Sequence, residues 1–91
     1  MSLERLISKY VKSAELVLAT FEYANNLDKE KVVDVVDHAK TYLSDAKYYM
    51  QSGKLDTSLT SVAYCEGLLD ALKLLGAVKF EWPTKDMLKE K

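Results

Sequence analysis

The apolar residues of this chain recur every three or four positions along most of its length, which is the spacing of amphipathic helices. Three such stripes are present, at Leu3–Ala24, at Val32–Met50 and from about Asp56 to Leu75. The second stripe is rich in valine, a residue that favours strands, but its apolar positions do not alternate with period two. The helical period persists instead, so the pattern predicts three long helices.

Residues that favour helix ends stand at the borders of the three stripes. Expected caps at the helix starts are Ser2, Asp28 and Asp56, and expected terminators are Asn25–Asn26, Gly53 and Gly76. Leu27 and Val32 also have the spacing of a hydrophobic staple around the second start. Both connections are short, so consecutive helices should lie antiparallel. We therefore predict an all-α fold, a three-helix up-down-up antiparallel bundle.

The segment after Gly76 contains Phe80 and Trp82 and is apolar enough to fold back over the bundle. The eight residues at 84–91 are mostly polar. We predict one helical bundle domain at 1–83 and a polar C-terminal tail at 84–91, because a chain of 91 residues is long enough for a single core.

Composition excludes several classes of function. With 48% hydrophobic and 30% charged residues, the chain is typical of globular proteins. Its net charge of −1 and its single arginine, Arg5, argue against nucleic-acid binding. No apolar run is long enough for a membrane span, and no segment resembles a signal peptide. Because Cys65 is the only cysteine, an intrachain disulfide is impossible, and we expect a cytoplasmic location.

The third stripe has more apolar residues than a helix in a three-helix bundle needs. They cover roughly two-thirds of its circumference, whereas a stripe somewhat over 100° wide would be enough. Either the C-terminal extension or a second molecule must cover the excess, since large exposed apolar patches mark interaction sites. We therefore predict a homodimer or an unidentified protein partner. The expected interaction residues are Leu16, Tyr23, Tyr48, Leu68, Leu72, Leu75, Phe80 and Trp82.

A set of acidic residues and one histidine offers an alternative function, a small metal- or nucleotide-dependent enzyme. Its candidate residues are Asp34, His38, Asp45, Glu66 and Asp70. Helical di-metal sites use a Glu-x-x-His motif, but Val35 stands where His38 would need that glutamate. We therefore expect solvated charged faces with no metal, no cofactor and no catalytic residue. For Glu66 and Asp70 we expect a tyrosine hydroxyl or a lysine as partner.

Gly67 lies in the middle of the third helix, where glycine costs about 1 kcal/mol relative to alanine. The favoured interpretation is that a neighbouring helix or ring approaches the bare backbone closely. The alternative is that Gly67 forms the floor of a ligand pocket. Cys65 lies in the apolar arc of the same helix and is expected to be a core residue.

Three segments of the chain resemble an archaeal family known as domain of unknown function 357. They are YLSDAKYY at 42–49, GKLD at 53–56 and AYCEGLLDALKLLG at 63–76. The resemblance covers the C-terminal half by motif and the whole chain by length and pattern. It implies a compact helical bundle in an archaeal cytoplasm and no particular activity. From the apolar excess of the third stripe, we expect a non-catalytic module for protein interaction or self-association.

Overall fold

The computed structural model describes residues 2–24 and 28–84, and three helices packed together dominate it. They are α1 (Leu3–Thr20), α2 (Lys29–Gln51) and α3 (Leu55–Leu74). The prediction of an all-α three-helix bundle is confirmed. The expectations for Asn25–Asn26, for the staple residue Leu27 and for residues 85–91 lie outside the described residues.

The first helix is shorter than its apolar stripe. It ends at Thr20 because Phe21 is already extended, with ψ of 159°. Two residue pairs then form a small antiparallel ladder between β1 (Glu22–Tyr23) and β2 (Val78–Lys79). The prediction that helix one continues to Ala24 is therefore wrong. Pairing with the C-terminal segment provides the backbone hydrogen bonds that further helical turns would have made.

Two of the three predicted N-caps are confirmed. Ser2 accepts a hydrogen bond from the backbone N–H of Arg5, and Asp28 accepts from two N–H groups in the first turn of α2. Asp56 is not a cap, because α3 begins one residue before it and is preceded by Lys54. The Asp56 carboxylate instead accepts from the N–H of Thr57 at 2.8 Å. Because Asp56 lies in the first turn of α3, its negative charge interacts favourably with the helix dipole and stabilises the helix.

Gly53 and Gly76 end α2 and α3 as predicted, with φ of 79° and 76°. After α2, the N–H of Gly53 donates to the carbonyl of Met50, and the N–H of Lys54 donates to that of Tyr49. The same pair of bonds follows α3, from Gly76 to Lys73 and from Ala77 to Leu72. These are Schellman motifs, which favour glycine at the left-handed position.

The main core cluster lies between the three helices. Its buried members are Ile7, Val11, Ala14, Val17, Ala39, Leu43, Ala46, Val62, Cys65 and Leu69. The start of α3 contacts the end of α2, where the buried hydroxyl of Ser58 donates to the carbonyl of Ala46 at 2.6 Å. Later in α3, Leu72 lies in a second cluster with Val36 of α2. The start of α3 thus lies beside the end of α2 and the end of α3 beside the first half of α2, as in antiparallel helices.

The segment after α3 packs against the bundle. Ala77 and Val78 are buried in the second cluster, and Phe80 and Trp82 are half-buried against the core. The Nζ atom of Lys73 lies 3.7 Å from a carboxylate oxygen of Glu81 and 5.2 Å from the centre of the Phe80 ring. None of the helices within the described ranges is both long and apolar enough to cross a membrane.

Candidate functional site

The structure distributes the predicted interaction residues over different parts of the molecule. Leu72 is only 4% exposed and belongs to the core, so it is not available to a partner. Leu68 is half-buried against the main cluster, whereas Leu75 is 69% exposed. Phe80 and Trp82 pack edge to face with ring centres 5.0 Å apart, on the segment that follows β2.

The remaining predicted interaction residues lie on α1, β1 and α2. Leu16 and Tyr23 are both half-buried. The Tyr23 ring packs edge to face against the Phe21 ring, with ring centres 4.9 Å apart. The Nζ atom of Lys29 lies 5.0 Å from the centre of the Tyr23 ring. Tyr48 is 64% exposed and contacts Tyr49 at 5.2 Å. The eight residues therefore differ in exposure and lie on α1, β1, α2, α3 and the segment after β2.

A smaller set of apolar residues does share one side of α3. Tyr64, Leu68, Ala71 and Leu75 are separated by four, three and four positions, which places them along one face of a helix. We call these four residues the α3 shoulder. Tyr64 is 54% exposed. Its ring stacks on the ring of Tyr42 in α2, with ring centres 4.3 Å apart. The shoulder therefore continues onto α2.

Leu74 is 82% exposed but does not belong to the α3 shoulder. It directly precedes Leu75, and consecutive helical residues are about 100° apart around the axis, so Leu74 projects from a different side of the helix than Leu75. Tyr64 and Ala71 were not among the predicted interaction residues. Their spacing from Leu68 and Leu75 could have identified them from the sequence.

An open groove of about 510 Å³ lies on another side of α3, where α1 and the C-terminal segment meet it. Its lining includes Lys9 and Tyr10 from α1, Glu66, Gly67 and Asp70 from α3, and Trp82. The volume is within the range of small-ligand pockets. The α1 residues of this groove were not predicted, because no sequence pattern relates them to α3.

Gly67 has open space where a side chain would begin. Apart from its chain neighbours and the backbone of its own helix, no described residue lies within 4 Å of a Cβ atom built on Gly67. The expectation that a neighbouring helix or ring approaches Gly67 is therefore wrong. Because Gly67 lines the groove, the alternative interpretation as a pocket floor agrees with its position.

Glu66 and Asp70 lie one helical turn apart on the wall of this groove. The indole Nε1–H of Trp82 donates to Oδ1 of Asp70 at 3.2 Å. Among the described residues the side-chain partner of Asp70 is therefore Trp82, whereas a tyrosine hydroxyl or a lysine was expected. Burial raises the pKa of the Glu66 carboxyl, and the negative charge of Asp70 raises it further.

The other predicted polar residues lie on α2. Asp34 and His38 are exposed and Asp45 is half-buried. The Nδ1 atom of His38 lies 2.8 Å from the backbone carbonyl oxygen of Asp34, not from its carboxylate. Within residues 2–24 and 28–84, no group of three histidine, cysteine, aspartate or glutamate residues is placed to hold a metal ion.

Cys65 is fully buried beside the groove wall. Burial raises the pKa of its thiol to about 11, and the neighbouring charge of Glu66 contributes to the same shift. Because the thiolate is the reactive form of cysteine, the thiol is poorly suited to nucleophilic chemistry. Its position agrees with a core role.

The comparison with known families agrees with this helical architecture. Residues 9–78 match the model of a family described as "Protein of unknown function (DUF357)". The match spans all of α2 and α3 and most of α1. No curated protein and no solved structure matches the chain. The chain belongs to the DUF357 family.

Proposed function

We propose that this chain is a non-catalytic helical module that forms a homodimer through the α3 shoulder. The observation that carries the proposal is the exposure of two large apolar side chains on one face of α3. Tyr64 and Leu75 are 54% and 69% exposed, with Leu68 and Ala71 between them. Contiguous exposed apolar residues commonly mark interaction sites, since burying them releases water from apolar surface.

The uncharged character of the α3 shoulder favours a second copy as its partner. In a two-fold dimer the same patch meets itself, so a charged patch would place like charges opposite each other. Tyr64, Leu68, Ala71 and Leu75 bring no such repulsion. Tyrosine and leucine side chains can interdigitate across the axis, and the Tyr64 hydroxyl can remain at the wet rim.

The alternative function, a small metal- or nucleotide-dependent enzyme, has no comparable support in the described residues. Asp34 and His38 are exposed on α2, and Cys65 is buried with a raised pKa. An active site instead needs convergent groups whose pKa values suit proton transfer or nucleophilic attack. We retain a cytoplasmic location as part of the proposal, because the single buried cysteine requires no oxidising compartment.

Two adjacent leucines provide a matched test of the dimer. Leu75→Lys places a charge in the α3 shoulder, whereas Leu74→Lys places the same charge at a more exposed position outside it. Light scattering over a concentration series measures the mass of each variant. We expect a dimer for the wild type and for Leu74→Lys, and a monomer for Leu75→Lys. Unchanged helicity by circular dichroism ensures that the loss of the dimer is not unfolding.

Two results would contradict this proposal. The first is a wild-type chain that keeps the monomer mass at all concentrations up to the millimolar range. The second is equal weakening of the dimer by Leu74→Lys and Leu75→Lys, which would indicate a nonspecific effect of added charge.

A further inference from the structure

The described lining of the groove between α1, α3 and the C-terminal segment contains more negative than positive side chains. Glu66 and Asp70 contribute two carboxylates to one wall, and among the residues that the structure describes Lys9 is the one cation in the lining. No ion pair within the described ranges involves either carboxylate. Trp82 donates one hydrogen bond to Asp70, which leaves the other acceptor positions of the two carboxylates for a ligand.

We propose that this groove binds a basic side chain, arginine or lysine, from an extended segment of a partner protein. The cationic group would lie between the carboxylates of Glu66 and Asp70 and the aromatic rings of Trp82 and Tyr10. This site is distinct from the α3 shoulder. Glu66 and Leu68 are two positions apart on α3, so they point to different sides of the helix.

The chemistry of the lining favours a cation that also has apolar character. A carboxylate beside a guanidinium or ammonium group makes charge-assisted hydrogen bonds, which are stronger than neutral ones. Aromatic rings attract the same cations through their electron-rich faces. Trp82 and Tyr10 can also cover the aliphatic stem of a lysine or arginine side chain.

Gly67 makes room for such a side chain. It lies between the two carboxylates in sequence and lines the groove, and, its chain neighbours aside, no side chain of the described ranges lies within 4 Å of the position that a Cβ would take. A glycine inside a helix costs stability, so a bare floor between two acidic residues is consistent with a binding role. The hydrogen bond from Trp82 additionally fixes the Asp70 carboxylate in the groove.

A metal ion is a poorer match to this site. Hard cations such as Ca²⁺ take six to eight oxygen ligands. In the described part of the chain, the groove offers two carboxylates and no third acidic or histidine side chain placed to complete a metal site. Burial and the negative charge of Asp70 both raise the pKa of the Glu66 carboxyl, and a cation bound beside the two carboxylates would oppose that shift.

The single tryptophan of the chain gives a direct readout. The probe is an acetylated and amidated Gly-Gly-Arg-Gly-Gly peptide, and its control has norleucine in place of arginine. Binding is measured from the NMR shift of the Trp82 indole N–H. We expect a saturable shift with the arginine peptide, a weaker one with a lysine peptide, and none with norleucine. MgCl₂ at equal ionic strength should leave the resonance in place.

Three variants assign the binding to this groove. Glu66→Gln removes one charge without changing shape and should weaken binding about three- to tenfold. Asp34→Asn removes the same charge from an exposed site on α2 and should have no effect. Gly67→Leu should fill the groove and abolish binding while the chain stays folded, because its side chain enters open space.

The proposal is overturned if the arginine peptide gives no saturable shift or if the norleucine peptide binds equally well. It is also overturned if Glu66→Gln and Gly67→Leu both stay folded and bind like the wild type. Saturable Mg²⁺ binding of equal strength would replace it with a metal site. None of these outcomes depends on the dimer, since Leu75→Lys should bind the peptide like the wild type.

Discussion

Gly67 and Gly53 provide the same substitution, glycine to alanine, with opposite expected effects on stability. Both glycines have open space where a Cβ would be placed, so steric fit does not distinguish them. They differ in backbone conformation. Gly53 has φ of 79°, whereas Gly67 lies inside α3 and has no positive φ.

The magnitudes follow from this difference. Gly67→Ala should stabilise the chain by about 0.5–1 kcal/mol, because alanine loses less backbone entropy in a helix. Gly53→Ala should destabilise it by about 1 kcal/mol, because the left-handed conformation costs an L-residue about 1–2 kcal/mol and unfolded-state entropy offsets part of that. For a domain of this size, each kcal/mol shifts the melting temperature by about 4–8 °C.

Thermal and urea unfolding followed by circular dichroism measure both effects. The two melting temperatures should move in opposite directions around that of the wild type. A lower melting temperature for Gly67→Ala would refute the reasoning, since it would require a contact at Gly67 that the open groove does not contain. A higher one for Gly53→Ala would contradict the Schellman motif after α2.

Three further predictions concern α3 side chains that are buried or half-buried. A thiol reagent at pH 8 should label Cys65 only at the rate of unfolding. With a pKa of about 11, roughly one thiol in a thousand is ionised at this pH. Fast labelling of the native chain would contradict the burial of Cys65. Glu66→Gln should raise the melting temperature at pH 7, because the raised pKa of Glu66 in the folded chain means that its ionisation destabilises the fold as pH rises. This gain should disappear below pH 4.5, the ordinary pKa of the group. An equal gain at all pH values would exclude the charge as its cause. Ser58→Ala should cost about 1 kcal/mol in urea unfolding, because the hydroxyl bond to Ala46 is buried; an unchanged midpoint would mean that this bond contributes nothing.

Local chemistry made much of the fold predictable from sequence. The helical period identified all three helices, and Ser2, Asp28, Gly53 and Gly76 have their expected roles at helix ends. Each of these roles depends on a residue and its nearest neighbours in the chain. A cap acts through its own side chain and a left-handed glycine through its own backbone, so no knowledge of distant contacts is required.

The end of α1 depended on a distant segment and was therefore mispredicted. Phe21 and Ala24 continue the apolar stripe, but the backbone after Thr20 pairs with β2 instead. The N–H of Ala24 donates to the carbonyl of Ala77 at 2.9 Å. Tertiary pairing can override a local helical preference, and nothing in residues 20–24 specifies a strand partner more than 50 positions away.

The candidate sites were predictable only in part. The excess of apolar residues on α3 was visible in the sequence, but the sequence did not show which of them are buried and which are exposed. Leu72 is covered by Ala77 and Val78, whereas Leu75 remains exposed. The groove depends on the place where Trp82 meets Asp70 and α1. Such a contact among three separate segments has no periodic pattern in the chain.

In the proposed homodimer, the α3 shoulder joins two copies of the chain. An NMR dilution series with assigned side-chain resonances tests it most directly, because it locates self-association residue by residue. We predict concentration-dependent shifts for Tyr64, Leu68 and Leu75, with little change at Trp82. Spectra that do not change with concentration, or shifts confined to the groove around Trp82, would contradict the claim.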